Sequence, residues 1–305
     1  MIRTKNTQKP NPSAILCGDF HLRETIPVCR TDEDFWITQW TKVAFIKGLQ
    51  QRYHCPVIHS GDVFEHWKPS PFLLSMAISY LPDNFQTVYG NHDLPNHSID
   101  LEYKCGVNTL RAAEKIKILL ETHWGQKPVN GTLLFPTDPD RHVIVWHVMT
   151  WQGKLPWPGC TDPSAMQMLK DLPKVAGFGR CDLLLTGHNH KTFVEEHKGR
   201  LLVNPGSLMR QDADQVDHKP CVFLWYAKTN EVEQVFIPIA KGVISREHIE
   251  HKQEHDVRIN AFVERLNISK LQGFDFNKNM EQFEKTNHVR KSVMDIIWKA
   301  IEGGA

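Results

Sequence analysis

Short apolar, β-branched runs recur along the chain, and several end on a glycine followed by a polar side chain, as buried strands of a layered α/β protein do. Strands are predicted near Ala14–Gly18, Val57–Gly61, Phe85–Gly90, Thr132–Phe135, His142–His147 and Asp182–Gly187. Later strands fall near Phe193–Glu195, Leu201–Asn204, Cys221–Tyr226 and Val232–Ile237, and the turns EHKG and TNE between them suit hairpins. Between the earlier strands the period changes to that of helices. Asp32–Tyr53 places Phe35, Trp36, Trp40, Val43, Ala44, Ile46 and Leu49 on one stripe, and Pro71–Leu81, Ser98–Cys105, Asn108–Ala113 and Pro163–Leu172 are shorter helical candidates.

From about Lys241 the character shifts. Ser245–Leu266, Asn277–Lys285 and His288–Ile301 are charged, helical in period and free of proline, with Asp275 or Asn277 as a cap before the second. This predicts a domain over residues 1–240 and a helical C-terminal tail over 241–305.

Composition narrows the picture. With 36 basic against 35 acidic residues and a net charge of +1, no global electrostatic pull toward nucleic acid or membrane exists, and any basic footprint must be local. The seven cysteines are scattered without a C-x-x-C pair, which fits reduced thiols rather than disulfides or a zinc site. The opening run MIRTKNTQKPNPS is polar and proline-broken, and nowhere do 18 apolar residues run together. A soluble cytoplasmic chain, with no signal peptide and no membrane association, is the expectation.

The chemistry sits at the strand ends. The first strand leads into Gly18-Asp19-Phe20-His21, the second into Gly61-Asp62, the third into Gly90-Asn91-His92-Asp93, the next into Trp146-His147, and the last into Gly187-His188-Asn189-His190. All are oxygen or nitrogen donors suited to divalent cations, and strand carboxyl ends are where α/β proteins assemble sites. In extended chain, residues i and i+2 point the same way, so His188 and His190 can face one point. Any one fragment alone is equally well a capped loop or a solvated turn. Five in this order, each after an apolar run, point to a shared site.

The series D-x-H, G-D, G-N-H-D, H, G-H-x-H resembles the calcineurin-like metallophosphoesterase superfamily over residues 14 to about 226. GDVFEHWKPSP and GNHDLP are similar to the equivalents in Mre11/SbcD nuclease subunits, and Asn204-Pro205-Gly206-Ser207 resembles an NPGS turn shared with phosphodiesterases outside that branch. The resemblance implies a four-layer α-β-β-α metallophosphoesterase sandwich with a helical C-terminal appendage. It implies two divalent metal ions, one held by Asp19, His21, Asp62 and His190, the other by Asp62, Asn91, His147 and His188, with Asp62 bridging. A thiolate-free set of carboxylate, amide and imidazole favours Mn²⁺, with Fe or Zn as alternatives.

The activity implied is phosphodiester hydrolysis by attack of a metal-bound hydroxide on phosphorus, the two cations clamping the developing charge. His92 would stabilise the transition state or protonate the leaving oxygen, with Asp93 orienting its ring or merely capping the loop. A DNA nuclease of the Mre11/SbcD type is the leading expectation. The alternative is a phosphatase or phosphodiesterase on nucleotides or small phosphoesters; the complete ligand set argues against a non-catalytic scaffold. DNA, an SbcC/Rad50-like ATPase gripped by the C-terminal helices, and a second copy of the chain are the partners expected.

Some residues depart from the pattern or stay open. Mre11/SbcD nucleases generally carry His or Asp where this chain has Glu65, with His66 one place later. His59 is expected as a packed strand residue. WHVMTWQGKLPW, residues 146–157, interleaves three tryptophans with Lys154, either to stack bases or to pack a long loop. Arg180, Lys191 and Arg210 are phosphate contacts or solvated surface. The apolar stripe Val293, Ile296, Ile297 and Trp298 packs back on the domain or binds a partner.

Overall fold

A computed structural model of the protein describes residues 11–119, 130–135, 141–172, 181–247, 249, 258–259, 276–287 and 289–302. The chain divides into two compact units, Met1–Ser245 and Arg246–Ala305.

The first unit is built on two sheets. One contains β1 (Ala14–Cys17), β2 (Val57–His59), β3 (Phe85–Thr87), β4 (Ile116–Ile118), β10 (Cys221–Tyr226) and β11 (Glu231–Phe236) in the order β11-β10-β1-β2-β3-β4. β1 to β4 run parallel, and β10 and β11 add antiparallel at one edge. The other contains β5 (Asn130–Phe135), β6 (Arg141–Trp146), β7 (Leu183–Thr186), β8 (Phe193–His197) and β9 (Arg200–Asn204) in the order β5-β6-β7-β9-β8, with β6, β7 and β9 parallel.

Alternation along the strands explains the layers. Ile15 and Cys17 face α1 (Phe35–Tyr53), α2 (Pro71–Tyr80) and α3 (Gly106–Ala112), whereas Ala14 and Leu16 join Val143, Val145, Leu183, Leu185 and Val203 in the core between the sheets. Ile144, Leu184 and Leu202 point the other way, onto α4 (Ala165–Asp171). The result is an α-β-β-α sandwich. Parallel strands buried on both faces read as unbroken apolar runs such as AILC and LLLT, and these were the most legible parts of the sequence.

Helix starts carry their caps: Asp34 accepts from Ile37 N at 2.8 Å, Ser70 from Leu73 N at 3.0 Å and Ser164 from Gln167 N at 3.2 Å. Ser98–Cys105 is not an α-helix; a 3₁₀ turn covers Ile99–Lys104 instead. β4 lies in a stretch that sequence periodicity passes over, because its three residues, Ile-Lys-Ile, are too few to establish a period.

The expected boundary at residue 240 falls five residues short of the first unit's end. Arg30 and Ile244 form a bridge, Thr31 N donates to Val243 O at 3.1 Å, and Ser245 N donates to Cys29 O at 2.8 Å. In the second unit the described helices are α5 (Phe276–Asn287) and α6 (Lys291–Glu302), near the predicted Asn277–Lys285 and His288–Ile301. Most of the predicted helix Ser245–Leu266 lies outside the described residues.

α1 buries two polar side chains along with its apolar stripe. Gln39 brackets the backbone of Arg23, its Oε1 accepting from Arg23 N at 3.0 Å and its Nε2 donating to Arg23 O at 3.2 Å. Lys42, 3% exposed, donates to Leu208 O at 2.9 Å. Burial, reinforced by the Arg30 and Arg210 charges against the single carboxylate of Asp32, pushes the Lys42 pKa from 10.5 down to about 7.

Between about pH 7 and 10.5 the unfolded chain therefore holds a proton at this position that the native chain has released. Native stability from this group rises with pH across that window and is lost as pH falls toward 7. Lys42→Met removes the dependence. Urea unfolding of both proteins at about pH 7.5 and about pH 9.5 is expected to show the variant losing ground as pH rises, by up to ~1.4 kcal/mol per pH unit; parallel stability curves would contradict it.

Candidate metal centre

Asp19 and His21 follow β1, Asp62 follows β2, and Asn91 and His92 follow β3, all on the first sheet; His147 follows β6, and His188 and His190 follow β7, on the second. Backbone bonds splice the first two of these loops together. Phe20 N and His21 N both donate to Asp62 O at 3.0 Å, Leu22 N donates to Val63 O at 2.9 Å, and Glu65 N returns to Leu22 O at 3.1 Å. His21, Asp62 and His188 hold φ values of 48°, 58° and 73°, the left-handed region that side chains other than glycine occupy at a cost of ~1 kcal/mol or more. Each turns its side chain toward one point.

The structure gathers all seven expected donors into adjoining groups. Asp19, His21 and His190 form one; Asp62, His147 and His188 form another. Asn91 Oδ1 lies 2.9 Å from both His147 Nε2 and His188 Nδ1. Asp62 faces both groups through a single oxygen, Oδ2, which is 3.1 Å from His147 Nε2 and 3.7 Å from His21 Nε2. His190 Nε2 stands 3.1 Å from His21 Nε2 and 3.6 Å from Asp19 Oδ2.

These contacts fit cations. His147 Nδ1 donates to Ser60 O at 2.9 Å, so its Nε2 offers a lone pair to two oxygens that also bring lone pairs, Asp62 Oδ2 and Asn91 Oδ1. A positive centre between them satisfies all three, whether a cation or a proton on Nε2. His21 and His190 likewise oppose ring nitrogens, at the separation of roughly 3 Å expected of neighbouring ligands on one octahedral ion.

Titration follows the same crowding. Burial opposes ionisation of Asp62, but His147, His21 and His92 outweigh it and hold the carboxyl well below the usual range. Burial and then the Asp62 charge lift Asp19 to about 6 against the pull of His147. For His147 burial opposes the charged form, yet Asp62 raises it to about 9, while burial and the His21 charge drop His190 to about 3.

Of the two readings of Asp93, orienting the His92 ring or capping the loop, its contacts follow the second. Its carboxylate is fully buried and accepts from Gly90 N at 3.1 Å, Val63 N at 3.2 Å and Phe64 N at 3.1 Å, tying the ends of β2 and β3 together. None of these three contacts reaches the His92 ring. Instead His92 Nδ1 donates to the carbonyl of Glu65 at 2.8 Å, and His92 N donates to Asp62 Oδ1 at 2.8 Å.

Of two further residues at the rim, only one went unrecognised in the sequence. Ser60, whose carbonyl fixes the His147 ring, carries no sequence signal because any residue supplies a carbonyl. Glu65 did have one, three places after Asp62: its Oε2 is 3.1 Å from His21 Nδ1.

Other candidates resolve as follows. His66 is exposed and its Nδ1 accepts from Lys68 N at 3.2 Å, capping its own turn. His59 is a packed strand residue, bonded to Thr87 Oγ1 at 2.9 Å and lowered to about 3 by burial. Arg210 is neither surface nor phosphate contact: it is 4% exposed and donates to Val216 O and Ala240 O. Lys191 is exposed, and Arg180 lies outside the described residues. Of the three tryptophans, Trp146 packs on the core and Trp151 Nε1 donates to Asp162 O at 2.8 Å, while Trp157 is half-exposed. The 204–207 turn props the site from beneath, Asn204 Nδ2 donating to Asn189 O at 2.7 Å and Leu208 N to Asp19 O at 2.7 Å.

Close approach explains the glycines ahead of the donors. A Cβ on Gly90 would fall onto the Asp62 carboxylate, and one on Gly187 would lie 2.5 Å from Asp19 Oδ1 and 2.8 Å from His147 Nδ1. Gly187→Ala is therefore expected to weaken Mn²⁺ binding in calorimetry by at least ~10-fold while thermal unfolding stays cooperative. Unchanged affinity would mean that this crowding is irrelevant to the cation.

No curated protein matches the chain. Among solved structures, an archaeal phosphodiesterase is 16% identical with a TM-score of 0.43, over 73% of this chain and 99% of that one. Vacuolar protein sorting 29 from Cryptosporidium parvum is 17% identical with a TM-score of 0.35, over 74% and 97% of the two chains. Its counterpart from Entamoeba histolytica is 13% identical with a TM-score of 0.34, over 74% and 99%. The family model described as the calcineurin-like phosphoesterase superfamily domain matches residues 13–224, which run from β1 into β10 and include every donor above, and the chain belongs to that superfamily.

Proposed function

We propose that this centre hydrolyses phosphodiesters and that its substrate is DNA, in the manner of the Mre11/SbcD branch. The observation that carries the reading is Asp62, whose single oxygen faces two sets of donors at once. Asp19, His21 and His190 with Asp62 would hold one divalent cation; Asn91, His147 and His188 with Asp62 would hold the other, and Mn²⁺ suits this donor set. When bound, such a pair supplies Lewis acidity and a water of lowered pKa.

His92 works at the leaving side. Its ring stands edge-on to His21, with centroids 4.7 Å apart, and its Nδ1–H is committed to Glu65 O. Nε2 is the atom left to handle a proton at the leaving oxygen. Asp93 acts only through the backbone, by fixing the loops that carry Asp62 and His92. DNA as substrate draws its support from GDVFEHWKPSP and GNHDLP, which fall on the loops after β2 and β3.

A specific feature favours small phosphoesters instead. A cavity of about 710 Å³ beside His188 and His190 is lined by the exposed carboxylates of Asp212, Asp214 and Asp217 against Lys191 and Lys219, a net acidic border that would disfavour a polyanionic strand. Among the described residues no helix is long and apolar enough to cross a membrane. In the second unit, Val293 and Ile296 of α6 are 44% and 52% exposed, an apolar stripe that would suit an SbcC/Rad50-like partner or a second copy of the chain.

Purified protein with Mn²⁺, given labelled single- and double-stranded DNA beside bis-p-nitrophenyl phosphate and mononucleotides, tests the proposal. Release of nucleotides from DNA, lost with EDTA and reduced by His92→Ala at least ~100-fold, is the expected outcome. Turnover of the small esters alone would transfer the function to the second reading.

A further inference from the structure

Glu65 occupies the position where this chain departs from the nuclease pattern, and its surroundings show what the carboxylate does. Oε2 lies 3.1 Å from His21 Nδ1, and Oε1 lies 3.1 Å from an Arg23 guanidinium nitrogen. Arg23 is itself held. Gln39 brackets its backbone on both sides, Gln211 Oε1 accepts from its guanidinium at 3.1 Å, and Thr25 Oγ1 accepts from its Nε at 3.1 Å. His21 is only 2% exposed, so water has little access with which to replace the carboxylate. The other ring nitrogen, Nε2, faces His190 and Asp62.

We propose that Glu65, steadied by Arg23, is a positioning residue that keeps the His21 proton on Nδ1 and thereby presents the Nε2 lone pair to the centre. This rests on the metal-centre reading given above. The physical basis is general: an imidazole ligand presents a lone pair only if its other nitrogen carries the proton, and a carboxylate that accepts that proton selects the tautomer. The backbone of the same residue accepts from His92 Nδ1, so Glu65 meets two rings with two different groups, the first by an ion contact at 3.1 Å whose alignment falls short of a hydrogen bond, the second by a hydrogen bond. His66, the neighbouring imidazole, takes no part, being engaged with Lys68.

The Arg23 contact makes the role separable from simple packing. In Glu65→Gln the amide has one oxygen and one NH₂ where the carboxylate had two acceptors. If the oxygen turns to Arg23, the NH₂ donates to His21 Nδ1 and drives the proton onto Nε2, blocking the lone pair. If the oxygen turns to His21, two donors meet at Arg23. Removing Arg23 lets the amide oxygen serve His21 alone.

The test is Mn²⁺ calorimetry on the full chain and on Glu65→Gln, Arg23→Ala and the double variant, with the ring ¹⁵N shifts of His21 in the metal-free proteins at alkaline pH. Glu65→Gln is expected to weaken one of two Mn²⁺ sites by ~10–100-fold and to move the proton to Nε2. Arg23→Ala leaves the proton on Nδ1 and weakens that site only by about a few-fold, because the carboxylate is less steady yet still accepts from His21, and the double variant recovers to about that level with the proton back on Nδ1. Wild-type affinity in Glu65→Gln would overturn the proposal. So would a double variant as weak as the single one, which is what a purely structural role gives. A wild-type chain that binds no Mn²⁺ would sink the metal-centre reading, while the nitrogen shifts would still decide the tautomer by themselves.

Discussion

Asp62 is the residue through which the rim of the sandwich is organised. Its backbone carbonyl receives Phe20 N and His21 N, one carboxylate oxygen receives His92 N, and the other faces His147 and His21. A buried carboxylate surrounded in this way stays ionised only because cations, or imidazoles acting as cations, stand close by. The three loops therefore cannot be arranged independently. Moving any one of them disturbs a charge that is almost wholly buried.

The backbone accommodates this demand through local strain. Left-handed conformations at His21, Asp62 and His188 occur where a strand must stop abruptly and turn its next side chain back over its own end. The surroundings hold these conformations with a second layer that seldom touches the centre itself: Asp93 beneath the β2 and β3 loops, Ser60 behind His147, and the 204–207 turn under Asp19 and Asn189. α1 contributes too, since Gln39 and Lys42 on its buried face reach Arg23 and Leu208.

The fold was legible where burial on both faces made strands continuously apolar, as in β1 and β7, and where capped helices carried an apolar stripe, as in α1. It was not legible in β4, three residues long, nor in Ile99–Lys104, where a helical period coincides with a 3₁₀ turn. For the site, the side chains that converge are the ones with distinctive types at strand ends, so Asp19, His21, Asp62, Asn91, His147, His188 and His190 stood out. The supporting atoms did not. Backbone carbonyls such as Ser60 O leave no trace in composition, and adjacency in sequence alone leaves Asp93 open between orienting its neighbour His92 and capping the loop. Arg210 looked like surface, and only the fold shows it enclosed by carbonyls.

The donors are divided between the two sheets: Asp19, His21, Asp62 and Asn91 come from the first, His147, His188 and His190 from the second. Neither half carries a complete cage. The chain also returns from β9 to lay β10 beside β1, so the first sheet is finished only after the second has been made. During synthesis, then, the donor set is complete in sequence only once His190 has been made, and the sheet that carries its first half closes only when β10 follows.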